Sequence, residues 1–234
     1  VDGWTLSAEE WVAVELSLRV ALVATLASLP PGIFVAWLLA RGRFRGRTLL
    51  DGLVHLPLVL PPVVTGYVLL LLMGRRGPIG SFLEEEFGIV FAFRWTGAAL
   101  ACAVMGFPLM VRAIRLTIEA IDQRLENAAA TLGASPLMVF ATVTLPLALP
   151  GVIAGALLCF AKALGEFGAT ITFVSNIPGE TQTIPAAIYS YTQVPGGDAG
   201  ALRLSIVAVV IALGALVVSE MLARRTGRNA ARPE

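Results

Sequence analysis

Five stretches of the chain contain no Asp, Glu, Lys or Arg: residues 20–40, 52–74, 95–111, 137–161 and 204–219. The charges are crowded into the segments between them. This alternation sets the class. A bilayer core of about 30 Å takes roughly 20 helical residues, with about 17 as a lower limit. The first, second and fourth stretches reach that length alone. The third and fifth need a flanking turn, where Arg94, Arg112 or Arg203 can snorkel to the interface. An open sheet leaves its backbone polar groups unsatisfied in lipid, so the spans are expected to be helical. The pattern predicts one all-α integral membrane domain over 1–234. Its spans, about five, fall near 12–40, 52–74, 92–115, 147–170 and 201–223.

Charge placement orients the spans. Arg41, Arg43, Arg45 and Arg47 follow the first; Arg112, Arg115 and Arg124 follow the third; Arg224, Arg225, Arg228 and Arg232 follow the fifth. The positive-inside rule puts these segments in the cytoplasm. The alternate loops carry Glu84, Glu85 and Glu86, or Glu180 and Asp198, which suits the outside; Arg75 and Arg76 run against the pattern. The expected topology is N-terminus periplasmic and C-terminus cytoplasmic. Composition agrees with the class: 57% of residues are hydrophobic, 14% are charged, and the mean hydropathy is +0.82. A soluble domain of 234 residues needs more charge to cover its surface. The net charge of +1 says nothing about partners, and no nucleic-acid binding is expected. Cys102 and Cys159 fall within spans and are expected to be buried small residues rather than a disulfide. The acidic start, Asp2 to Glu10, lacks the basic region of a signal peptide.

Glu15 and Arg19 stand at i,i+4 in the first span and are expected to pair. Ser28-Leu29-Pro30-Pro31-Gly32 is expected to kink it. The second span holds Pro57, Pro61 and Pro62, then Thr65-Gly66. Prolines so close cannot sit in an unbroken helix, and broken backbone survives in a membrane only where protein or water satisfies it. Two readings stand for Pro61, Pro62 and Thr65: a kinked packing helix, or a segment lining a pathway. Residues 74–94 form an outer loop with a short amphipathic helix around 81–87. Residues 175–200 are polar and rich in Pro and Gly.

The stretch from Asp122 to Pro146 predicts two short helices at a sharp corner. Asp122 caps the first, whose Leu125, Ala128, Ala129 and Leu132 form an apolar face. Gly133 suits the left-handed position that ends it. Ser135 caps the second helix, with Pro136 at its first position. Leu145-Pro146 then turns the chain into the fourth span. A small-residue hairpin of this kind, between two spans, is a docking knob.

The run Glu126-Asn127-Ala128-Ala129-x-x-x-Gly133, followed after nine residues by Val143-x-Leu145-Pro146, resembles the EAA loop of ABC importer permeases. That loop reads Glu-Ala-Ala, three residues, Gly, nine residues, Ile-x-Leu-Pro. Here Asn127 occupies the Glu position, with Glu126 one residue earlier, and Val143 replaces Ile. The runs Leu56–Val64, Met73–Gly77, Gly165–Thr170 and Asn176–Thr181 look like the molybdate branch of those permeases, and the similarity covers nearly the whole chain. The resemblance implies a type I ABC importer permease fold in the bacterial inner membrane. It also implies a homodimer with the pore at its interface and alternating access. Two cytoplasmic ATP-binding subunits would dock on Glu126, Asn127, Ala128, Ala129, Gly133, Ser135, Pro136, Val143, Leu145 and Pro146, and a periplasmic molybdate-binding protein would deliver the cargo. ATP and Mg would sit on the partner ATPase, with no cofactor on this chain. A tungstate or sulfate permease of the same architecture is the alternative. The larger members carry an extra cytoplasmic regulatory domain, for which the tail Arg224–Glu234 is expected to leave no room.

One check is independent of resemblance. No G-x-x-x-x-G-K-[ST] motif occurs, and the single lysine, Lys162, follows Ala161. This chain is not expected to hydrolyse ATP. Lys162 and Glu166 lie at i,i+4 in the fourth span; both are costly in lipid, so a structural pair is expected, with direct contact to cargo as the alternative. Phe167, between Gly165 and Gly168, is a candidate gate plug. Thr170, Thr172, Ser175 and Asn176 offer neutral donors for a transient anion path, or simply end an outer helix. Gly151 and Gly155 form a small-residue face, within the subunit or across a dimer. His55, the only histidine, has Asp51 at i−4, too few ligands for a metal site. An intramembrane enzyme using His55 and Glu166 is the reading of another class. No paired catalytic carboxylates or Ser-His-Asp order support it.

Overall fold

The computed structural model describes residues 5–230. Asp2 and Arg232 lie outside them, as do the side chains of Arg224, Arg225 and Arg228. Among the described residues there are helices and no strands. The order is α1 (Ala8–Arg41), α2 (Arg47–Val59), α3 (Pro62–Met73), α4 (Pro78–Phe87), α5 (Trp95–Ala120), α6 (Gln123–Thr131), α7 (Pro136–Val139), a π-helical turn (Phe140–Thr144), α8 (Leu145–Leu164), α9 (Gly168–Val174), α10 (Ile184–Thr192) and α11 (Asp198–Ala230).

Among the described residues, four helical runs are long and apolar enough to cross a membrane: Ala8–Arg41, Trp95–Ala120, Pro136–Leu164 and Asp198–Ala215. The α2–α3 pair makes a fifth only as a broken span, bent by 114°. The expected break at Leu60-Pro61-Pro62 is therefore real. Pro61 is the cap residue and Pro62 the first residue of α3, where a missing N–H costs nothing.

The other proline pair behaves differently. Pro30 and Pro31 lie inside α1, which continues as helix to Arg41. Here packing overrides local preference. Gly32 faces α5 so closely that a Cβ there would stand 2.8 Å from Met110 Sδ. α1 also starts earlier than expected. Ser7 Oγ accepts the Glu10 N–H at 3.2 Å while Glu10 Oε2 accepts the Ser7 N–H at 2.7 Å, a reciprocal cap that pulls the polar lead into helix. The Glu15–Arg19 pair does not form. The Arg19 guanidinium instead lies 3.9 Å from the centre of the Trp95 ring, a cation–π contact between α1 and α5.

The core is the packing of α1, α5 and α8. Small residues set its spacing: Ala21, Ala24, Ala36, Ala98 and Ala101 are fully buried. Gly155 of α8 meets α5, where a Cβ would stand 2.9 Å from the Met110 carbonyl oxygen, and Gly151 abuts Thr117. The small-residue face of α8 is thus used within the subunit, where dispersion between close backbones replaces a hydrophobic driving force. Both cysteines are buried free thiols, and Cys102 Sγ donates to Ala163 O at 3.5 Å.

Near the start of α1, α10 and α11 pack together against it. α10 arises inside the polar, Pro- and Gly-rich stretch 175–200 and buries Ile184, Ala186 and Ala187. Its Ile184 N–H donates to Ser17 Oγ of α1 at 2.7 Å. Glu10, 1% exposed, also binds Arg203 of α11 at 2.7 Å. The anomalous Arg75 reaches Glu84 of α4 at 3.7 Å.

Candidate functional site

Two regions hold the residues singled out by sequence. The first is the hairpin between α5 and α8. Asp122 Oδ1 accepts the Arg124 N–H at 2.9 Å and starts α6. Gly133 ends the corner at φ +90°, a left-handed position with open space around it. Ser135 Oγ accepts the Met138 N–H at 3.3 Å, with Pro136 at the first position of α7. Each expected cap is present. The turn expected at Leu145-Pro146 is absent. α7, the π-helical turn and α8 form one helical run of 29 residues from Pro136 to Leu164. Val143 lies in the π-helical turn and Pro146 in the first turn of α8, where its lack of an N–H is tolerated.

The hairpin displays apolar surface. Leu125, Leu132, Leu137 and Met138 are all exposed, Leu132 at 89%. Asn127, Ala128, Gly133, Ser135 and Pro136 share that exposure, and Ala129 is half-buried. Glu126 does not belong to this surface. Its carboxylate is 15% exposed, lies 2.9 Å from Arg41 Nε of α1 as an ion pair without hydrogen-bond alignment, and accepts the Thr144 hydroxyl at 2.7 Å. The same arginine donates from Nη2 to Ile121 O at 2.9 Å, at the C-terminus of α5. Arg41 was legible in sequence only as an orienting positive charge. No local spacing marks a partner this far along the chain.

The second region is the seam where two helix breaks meet. α8 ends at Gly165 and α9 begins at Gly168. α9 packs on α3 so closely that a Cβ on Gly66 would stand 2.9 Å from Ala169 Cα, and one on Gly168 would stand 2.7 Å from Pro62 Cβ. The expected Lys162–Glu166 pair forms at 2.8 Å. Glu166 is buried and its other oxygen accepts the Ala169 N–H at 3.0 Å, so one carboxylate both neutralises the lysine and caps α9. Phe167 packs at a tilt against Tyr189 of α10, ring centres 5.2 Å and planes 41° apart. Gly66→Leu is expected to separate α3 from α9 and to lower thermal stability in detergent by several degrees, read by a melting assay.

The donor set expected beyond this point is engaged in part. Thr170 Oγ1 donates to Phe167 O at 2.9 Å and Thr172 Oγ1 to Gly168 O at 2.8 Å. Asn176 Nδ2 donates one of its two hydrogens to Ser190 Oγ at 2.7 Å. The two threonine hydroxyls are thus spent on their own helix, while the second Asn176 hydrogen and the exposed Ser175 hydroxyl are not. Thr65 Oγ1, on α3 beside the close approach, is buried without a hydrogen-bond partner.

His55 is not joined to Glu166. Its Nδ1 lies 3.2 Å from Asp51 Oδ1, and Asp51 also binds Arg115 of α5 at 2.9 Å. This network fastens α2 to α5. Among the described residues no cluster of His, Cys, Asp or Glu has the makings of a metal site.

The model of the family described as binding-protein-dependent transport system inner membrane component matches residues 29–228. The molybdenum transport system permease protein ModB of Escherichia coli (strain K12) is 61% identical over 97% of this chain and 99% of its own length. ModB of Haemophilus influenzae is 60% identical over 91% of this chain and 93% of its own. In a crystal structure of a bacterial ABC transporter that imports alginate, one chain superposes with a TM-score of 0.74 at 18% identity, covering 94% of this chain and 80% of that one. The fold is that of type I ABC importer permeases, and the protein crosses the inner membrane several times. On the matched model and these near-full-length relatives, the chain belongs to the binding-protein-dependent transport system inner membrane components, the permease subunits of ABC transporters.

Proposed function

We propose that this chain is the non-catalytic, membrane-spanning subunit of an ATP-driven importer for molybdate, working as a homodimer with its pore at the dimer interface. The observation that carries the reading is the hairpin. It bears exposed leucines and a methionine at its tip, and it runs without a break into α8. A helical run of 29 residues spans about 43 Å, enough to carry a displacement across a bilayer. The far end of that run is the Glu166 break, which abuts the break between α2 and α3.

The mechanism follows from this layout. Two cytoplasmic ATP-binding subunits receive the hairpins of the two copies and close on ATP and Mg. The hairpins shift as rigid bodies, α8 follows, and the seam at Pro61, Pro62, Gly168 and Phe167 rearranges so that the pore opens to a periplasmic binding protein. The arginine-rich segments after the first, third and fifth spans support a topology with the hairpin and the C-terminus in the cytoplasm and the N-terminus outside. The cargo is inferred from the relatives, which are named for molybdenum transport and align over almost their full length.

ATP-dependent uptake in vesicles holding this chain, its ATPase and its binding protein tests the reading. Molybdate uptake that sulfate does not displace is expected. Preferential sulfate or tungstate uptake would retain the importer and change its cargo. Phe167→Ala is expected to raise the leak of the closed pore, measured as anion efflux without ATP; an unchanged leak removes Phe167 from the gate.

A further inference from the structure

We infer that Arg41 and Glu126 form a positioning node that couples the hairpin to three membrane helices, rather than part of the surface offered to the ATPase. The inference rests on the importer reading above. Four elements converge on the two side chains. The guanidinium comes from the last residue of α1. It donates to Ile121 O, the carbonyl beyond the end of α5, at 2.9 Å. It holds Glu126 in the first turn of α6 at 2.9 Å. Glu126 in turn takes the hydroxyl of Thr144, 1% exposed, in the π-helical turn that leads into α8, at 2.7 Å. Trp37 of α1 packs edge-on against Phe140 of the same turn, ring centres 5.6 Å apart.

This geometry has a mechanical consequence. Apart from the node and its packing on the π-helical turn and α7, α6 is joined to the membrane domain by Ile121-Asp122 on one side and the Gly133 corner on the other. Both are non-helical joints. Without the node, a push on the exposed leucines would pivot α6 at those joints. With the node, the push is delivered to α1, α5 and α8 together. The side chains of Arg41 and Glu126 are 13% and 15% exposed, so the pair is screened less than a surface bridge and is costly to separate. A cleft of about 350 Å3 beside it, lined in part by Arg43, Gln123 and Asn127, leaves α6 little other support on that side. The node therefore acts on the efficiency of coupling. Docking is carried by other residues.

The test uses the full transporter in vesicles. Glu126→Gln, Arg41→Gln, the double variant and Thr144→Val are compared with the unaltered chain for ATPase-subunit retention, ATP hydrolysis and cargo uptake. The expected result is normal subunit retention with uptake per ATP reduced roughly tenfold in each charge variant, and a double variant no worse than the poorer single, as for residues acting as one unit. Thr144→Val removes one bond without stranding a charge and is expected to give a smaller loss of the same kind. Loss of ATPase retention in Glu126→Gln would overturn the inference by making Glu126 a docking contact. So would uptake per ATP equal to that of the unaltered chain, or additive losses in the double. If the unaltered chain imports no oxyanion with its ATPase, the importer reading fails and the inference with it.

Discussion

Gly133→Asp is expected to abolish ATP-dependent uptake while the protein still inserts and folds. Two effects combine at this corner. The glycine sits at φ +90°, where a residue with a Cβ is strained by about 1–2 kcal/mol. The strain is local, because no neighbouring atom would touch the new Cβ. The larger effect is the charge. A carboxylate beside the exposed Leu132 and Leu137 has to be desolvated when a partner covers the hairpin, at a cost of several kcal/mol for an unpaired ion. Retention of the ATPase subunit on the purified permease is the direct readout. Ala129→Arg is expected to act in the same way through bulk and charge. Normal uptake by both variants would remove the hairpin from the docking surface.

Glu166→Ala is expected to be the most destabilising single change in the membrane region. It leaves Lys162 without its partner and the Ala169 N–H without its acceptor. Removing one member of a buried ion pair costs about 3–5 kcal/mol, and the lower end applies because the Lys162 side chain keeps 30% exposure. The expected outcome is poor accumulation in the membrane and early unfolding in detergent. Adding Lys162→Met removes the stranded charge and is expected to recover much of the stability, leaving only the loss of the α9 cap. A double variant as unstable as the single would show that the cap, rather than the ion pair, is what Glu166 supplies. Uptake by the rescued double variant separates a structural pair from one that meets the cargo, since only the latter loses transport after stability returns.

Much of the hairpin could be read from sequence because its determinants are local. Asp122, Gly133, Ser135 and Pro136 act on backbone groups one to three residues away, so their spacing is enough. Lys162 in the last turn of α8 and Glu166 just past its end are four residues apart and were equally legible. The same reasoning failed for Glu15 and Arg19, also four residues apart. Trp95 of α5 offers Arg19 a ring face at 3.9 Å, and nothing near either residue announces it. Glu126 could be assigned to the hairpin but not to its true contacts, which come from Arg41 and Thr144.

The prolines mark the boundary between what sequence and tertiary structure each determined. Sequence alone established a helical membrane protein with a capped two-helix hairpin between two spans. The length of an apolar run against the thickness of a bilayer, and the capping chemistry of helix ends, are properties of contiguous residues. Whether a proline pair breaks a helix is not such a property. Pro30 and Pro31 stay helical where α1 is pressed onto α5, because contacts along both helices offset the lost hydrogen bonds. Pro61 and Pro62 break the chain by 114° next to α2, which buries no residue and gains too little from packing to hold a straight rod. The meeting of that break with the Glu166 break, and the node that Arg41 makes with Glu126, were decided only by the tertiary structure. Each depends on which distant helix supplies the neighbouring atoms.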